Sequence, residues 1–219
     1  MVAQMNDAAT GASRGGAILI YGLIALCCLI ELGLIAGDFG LPGVPRLRQI
    51  AYEYGGFWPG LLQDWQPNYA AQPYAMFVTY GFLHGGFVHL IVNMATLLGL
   101  GLRVLDRVGV WGFAMLYITT LLGGAVGFGL LAETYRPMVG ASGALFGLAG
   151  GILAWDYVDR YTFKERLWPV ARAVLFLLTL NLILWWAMDG QLAWQTHLGG
   201  FVTGWIAALL IDPRGRNRE

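Results

Sequence analysis

Apolar residues run almost unbroken through six stretches, at 17–36, 86–102, 110–132, 138–155, 168–188 and 195–211. Each comes close to the roughly 20 residues that a helix needs to cross a bilayer. The pattern predicts an all-α membrane protein, a six-transmembrane-helix bundle. Its domain covers 17–211, with a segment 1–16 before it and a tail 212–219 after it. The first stretch contains Glu31 and shows no small-residue cleavage site before Gly37, so it is read as a span rather than a cleavable leader. The longest interruption, 37–85, is a long outer loop between helices 1 and 2. It carries Tyr52, Tyr54, Phe57, Trp58, Trp65, Tyr69 and Tyr74. Such rings suit a membrane interface, where the apolar body is covered and the polar atom stays wet.

Composition agrees. Apolar residues make up 58% of the chain and charged residues 12%, about half the charged fraction of a soluble domain. Glycine is abundant, at 32 residues, as membrane helices tolerate. The formal net charge is zero, so nothing points to a nucleic-acid partner. Cys27 and Cys28 are adjacent in an apolar run and are read as packing or lipid-facing residues, not a disulfide.

The basic residues orient the bundle. With the N-terminus in the cytoplasm, Arg14, Arg103, Arg107, Arg160, Lys164, Arg166, Arg172, Arg214, Arg216 and Arg218 fall inside. Arg46, Arg48 and Arg136 fall outside. Cytoplasmic loops carry the excess of Lys and Arg, so both termini are expected there.

Polar side chains at membrane depth are costly and are candidates for function. The second stretch and the residues just before it hold His84, His89 and Asn93, the fourth carries Gly140-Ala141-Ser142-Gly143 near its start, and the sixth carries Thr196-His197 near its start. His89, Ser142 and His197 each precede a cytoplasmic edge marker, Arg103, Asp156 or Ile211, by 14 residues. Helical rise puts all three about 21 Å above that edge, which is about 10 Å below the outer face of a core about 30 Å thick. Gly143, Gly147 and Gly151 recur every four residues, as do Gly200 and Gly204. Small residues at this spacing let backbones approach, and packing the two stripes together would carry Ser142 toward His197. Ser142 follows a Pro/Gly-containing connection, so it belongs near a helix N-terminus, where free N–H groups favour an oxyanion. His89 and Asn93 share a helix face and can donate toward one point.

Other chemistries fit less well. A zinc site lacks the His-Glu-x-x-His pattern, and His84 and His89 lie about 140° apart around a helix. An aspartate protease needs two acids at membrane depth, whereas the acids here cluster at segment ends or in loops, apart from Glu31. A transporter would show inverted repeats or buried ion pairs.

At these residues the chain strongly resembles rhomboid proteases. The Gly-x-Ser-Gly signature stands at Gly140–Gly143, the His-x4-His-x3-Asn pattern at His84, His89 and Asn93, and the sixth-helix His with glycines at His197, Gly200 and Gly204. The resemblance covers about residues 17–211. It implies a Ser142–His197 dyad without a third acid, and cleavage of single-span or polytopic membrane proteins near their outer end. His89, Asn93 and the Ser142 N–H would hold the oxyanion. Phe146 would stack on His197, His84 would support His89 or the loop, and helix 168–188 would be a mobile wall beside the substrate entrance. No cofactor or metal is implied, and a bacterial plasma membrane is the expected home. The alternatives are a catalytically silent relative that binds membrane proteins, or a small-solute transporter. Two departures stand out. Tyr74-Ala75-Met76 replaces a Trp-Arg pair frequent in the family, and the Glu often found after the second helix is replaced by, or shifted to, Asp106.

Overall fold

A computed structural model describes residues 2–40 and 46–212, with side chains from residue 15 onward. Of the expected tail only Asp212 is described; the rest, with Arg214, Arg216 and Arg218, lies outside the described residues, as do the side chains of residues 1–14. The described residues form helices α1 (Val2–Asp38), α2 (Leu47–Gly55), α3 (Gln72–Thr79), α4 (Phe87–Leu131), α5 (Ser142–Thr162), α6 (Trp168–Ala187) and α7 (Trp194–Ile211). There is no strand among them. Among the described residues, three helical stretches are long and apolar enough to cross a membrane: Gly15–Asp38, Phe87–Leu131 and Trp168–Ala187. Many large apolar side chains on outward faces stay exposed, among them Val88, Val92, Leu178, Leu182 and Trp186. Surfaces of this kind are rare in soluble monomers and mark contact with another apolar medium.

The second and third apolar stretches form one helical run broken at Gly109, where φ is 71° and ψ −174°. Glycine adopts that conformation without a Cβ penalty. Phe113 then approaches within 3.3 Å of where a Cβ on Gly101 would lie. Twelve residues of straight helix would separate the two backbones by about 18 Å, so the halves fold back on each other. α5, α7 and α4 pack most extensively, α1 lies against α4, and α6 leans chiefly on α5.

The fourth stretch differs from expectation at its start. Residues 138–141 are not helical, and α5 begins at Ser142 and runs to Thr162. Met138 is held instead by an antiparallel bridge to Phe57, with both backbone hydrogen bonds at 2.9 Å. The Gly140 N–H donates to the Tyr80 carbonyl at 2.9 Å. These bonds tie the segment before α5 to the connection between α1 and α4, whose described part holds structure of its own. α2, α3 and two short 3₁₀ turns, Pro59–Leu62 and Tyr80–Phe82, occupy it. Phe57 and Tyr80 are fully buried beneath them.

Two ion-pair clusters brace the bundle. Arg48 on α2 reaches the fully buried Glu31 of α1 at 2.8 Å and Asp38 at 2.7 Å. Arg48 and Tyr52 also donate to the His84 carbonyl, at 3.1 and 2.6 Å. Burial opposes the Arg48 charge, but the hydrogen bonds to Glu31, Tyr52 and Asp38 outweigh it and raise its pKa further. At the Gly109 end, Arg107 pairs with Asp159 of α5 at 2.6 Å and with Asp212 after α7 at 3.1 Å. Asp106, one residue earlier, is not in this cluster. That residue faces outward, because one step along a helix turns a side chain by about 100°.

Candidate active site

Gly140 has φ +125°, and a Cβ there would meet His89 Cε1 at 2.7 Å and Nε2 at 2.9 Å. Glycine is therefore required both by the backbone and by the close approach of the His89 ring. Ser142 follows two residues later as the first residue of α5. The N–H groups of that first turn lack intrahelical acceptors and lie at the positive end of the helix dipole.

The glycine stripes bring α7 against α5. A Cβ on Gly200 would collide with the Gly143 carbonyl oxygen, and one on Gly204 with that of Gly147. Gly151 continues the contact, facing Ala208 and the Gly204 carbonyl. At the top of this contact, Ser142 Oγ and His197 Nε2 are 2.8 Å apart. Phe146, one turn along α5, stacks on the His197 ring with centroids 4.1 Å apart and planes within 7°. His197 is buried and Ser142 half-buried.

His89 also lies near Ser142, since its Nε2 and Ser142 Oγ both fall within 4 Å of where a Cβ on Gly140 would stand. The Gly85 N–H donates to its Nδ1 at 3.0 Å. A neutral imidazole has one N–H, so the proton resides on Nε2, the atom turned toward Gly140 and Ser142. Asn93 does not converge there in the same way. Its Nδ2 donates to the His89 carbonyl at 2.8 Å, and its buried Oδ1 has no hydrogen-bond partner among the described residues. His84 lies behind His89, edge to face at 5.3 Å, and is fully buried.

The arrangement offers a hydroxyl beside a histidine that can act as a base, with donors from a helix N-terminus and a second histidine nearby. A cavity of about 360 Å³ opens beside it between α6 and the α5–α7 pair, lined by Leu178, Leu182, Trp185 and other apolar residues. Among the described residues no three His, Cys, Asp or Glu side chains gather as a metal site. Cys27 and Cys28 are free thiols.

One site residue was missed from the sequence. Asn181 of α6 places Oδ1 2.7 Å from His197 Nδ1. The signal was available, since Asn181 is a polar residue inside the apolar stretch 168–188, which is the criterion that singled out the others.

The chain matches known proteins over the same elements. A family model described as Rhomboid domain matches residues 71–214. RHOMBOID-like protein 4 of Arabidopsis thaliana is 35% identical over 135 residues, which is 60% of this chain and 33% of that protein. Rhomboid-type serine protease 2 of Emericella nidulans is 29% identical over 186 residues, 84% of this chain and 33% of that protein. RHOMBOID-like protein 6, mitochondrial, of Arabidopsis thaliana is 29% identical over 156 residues, 69% of this chain and 48% of that protein. The chain thus spans between 33% and 48% of the length of these relatives. The family model begins just before α3 and ends just past α7, so it takes in every helix that bears Ser142, His197, His89 and Asn93, and on that match this chain belongs to the rhomboid family of integral membrane proteins.

Proposed function

We propose that this chain is an intramembrane serine endopeptidase with Ser142 as nucleophile and His197 as general base. The observation that carries the reading is the 2.8 Å contact between Ser142 Oγ and His197 Nε2 at the start of α5. A resting contact of that length already lies within the range required for proton transfer. The folding-back at Gly109 favours counting α4 as two spans, which with α1, α5, α6 and α7 makes six. The distribution of Lys and Arg favours cytoplasmic termini. The membrane we assign is a bacterial plasma membrane; the mitochondrial designation of one relative concerns that relative.

In this mechanism a substrate segment unwinds near its outer end, since a scissile bond inside a helix has its carbonyl engaged. Ser142 Oγ attacks the carbonyl carbon while His197 Nε2 takes the hydroxyl proton. Negative charge moves to the carbonyl oxygen, where the Ser142 N–H and the His89 Nε2–H stabilise it, with Asn93 fixing the His89 backbone. The C–N bond then breaks, and His197 returns its proton to the leaving amine. Water attacks the acyl-serine by the same steps in reverse order, and the carboxylate leaves. The substrates are single-span or polytopic membrane proteins, and no cofactor takes part.

The test is cleavage of a model single-span substrate by purified protein. Ser142→Ala and His197→Ala should each abolish cleavage, losses that reach about 10⁶-fold in other serine proteases. A fluorophosphonate should label Ser142 and require His197. Near-normal cleavage by Ser142→Ala, or labelling at another serine, would remove the nucleophile assignment. An inert wild type would favour a catalytically silent, substrate-binding relative.

A further inference from the structure

We propose that Asn181 is a positioning residue that holds His197 in the tautomer a general base needs, and holds it from a helix the core barely grips. The inference rests on the protease reading above, and it adds a third member to the hydrogen-bonded line: Ser142 Oγ to His197 Nε2 at 2.8 Å, then His197 Nδ1 to Asn181 Oδ1 at 2.7 Å. An amide oxygen only accepts. With Oδ1 facing it, Nδ1 must carry the imidazole proton, which leaves the Nε2 lone pair aimed at the Ser142 hydroxyl. The partner of one ring nitrogen in this way decides the protonation of the other. After Ser142 gives up its proton, the imidazolium has two N–H groups, and Asn181 supplies the acceptor for the second.

The surroundings offer no obvious substitute. The cavity wall next to His197 Nδ1 is apolar, with Leu178, Leu182 and Trp185 beside Asn181. Phe146 stacks flat on the imidazole. A stack fixes the plane of a ring but not which edge faces Ser142, because a half-turn about Cβ–Cγ keeps the plane and exchanges Nδ1 with Cδ2. Hydrogen bonds at both nitrogens fix the rotation. Without Asn181, the ring could place its proton on Nε2 and donate to Ser142, the wrong direction for a base. Along α6 only Val170 is buried, and it lies three turns from Asn181. The acceptor position therefore follows the seat of α6 against the bundle, and the readiness of the base follows with it.

The experiment compares full-length wild type with Asn181→Leu and Asn181→Asp in detergent micelles. Leucine removes the acceptor in an apolar setting and should not lower the melting temperature. Aspartate keeps an acceptor oxygen at the same position. The first readout, nitrogen-15 NMR of the imidazoles, needs no proteolysis. The chain has three histidines, and His197→Ala identifies the signal. Wild type and Asn181→Asp should show the Nδ1–H form, and Asn181→Leu should lose it. The second readout is kinetic. A wrong tautomer costs about 10⁴ in the Ser-His-Asp template; for a neutral partner on a loosely packed helix the loss should be smaller, about 10–10²-fold in kcat, with KM nearly unchanged and most of the rate restored in Asn181→Asp. The proposal is overturned if Asn181→Leu keeps the Nδ1–H form, if both variants lose rate equally, or if the loss lies in KM. If wild type neither cleaves nor labels, yet Asn181→Leu still switches the tautomer, the protease reading fails and the positioning role stands.

Discussion

Glu31 is an acid seven residues inside the end of α1, fully buried, with Arg48 of α2 against it. Removing one partner of a buried pair strands the other charge. Arg48→Ala should therefore cost about 3–5 kcal/mol and release α2 from the His84 carbonyl. Glu31→Gln should be milder, because Arg48 is partly exposed and keeps Asp38, Tyr52 and the His84 carbonyl. Melting temperatures of the two variants in one detergent give the comparison, and equal losses would mean that burial of the charge is not what sets the effect. A second asymmetry concerns the oxyanion. His89 turns its Nε2–H toward Gly140, two residues before Ser142, whereas the Asn93 amide donates to the His89 carbonyl. Loss of a donor to an oxyanion typically costs about 10²–10³ in turnover. His89→Ala should show such a loss and Asn93→Ala a smaller one, read as fluorophosphonate labelling rates. Equal severity would mean that the Asn93 amide turns to the oxyanion itself.

Among the helices, the α5–α7 contact decides whether Ser142 and His197 meet. Gly200 lies directly against the Gly143 carbonyl, one residue from Ser142. Gly200→Val must push the helices apart, and a displacement of about 1 Å can cost roughly 10²-fold in rate. Cleavage and melting temperature should both fall. Gly129 would be a poor comparison, although it lies outside this contact, because a side chain there would press on Leu62 and Phe57. Gly99 has open space around it, so Gly99→Val is the proper control and should behave like wild type. If Gly200→Val also did so, this face would not set the geometry of the dyad.

For the molecule as a whole, the braces at Arg48 and Arg107 lie toward opposite ends of the bundle. Arg107 joins the break in α4 to α5 and to the end of α7, so it ties together three elements that carry the site. If the six-span reading holds, reporter fusions near Arg160–Arg166 and near Tyr52–Asp64 should give opposite signals, the first cytoplasmic. The same signal from both would overturn that topology and the orientation drawn from the basic residues.

The sequence by itself determined the helical class and the apolar stretches, because length and hydropathy are local properties. It also singled out Ser142, His197 and His89, because a polar group in an apolar run is conspicuous without any structure. The glycine spacing was legible for the same reason, since a period of four marks one face of a helix. Only the tertiary structure decided what depends on two distant segments meeting. It paired Glu31 with Arg48, and Arg107 with Asp159 and Asp212. It turned Asn93 toward the His89 carbonyl, and began α5 at Ser142 because Met138 is held by Phe57 and Gly140 by Tyr80. It also brought Asn181 from α6 to His197. Hydrogen-bond partners are set by distance and direction in space, and a sequence carries neither.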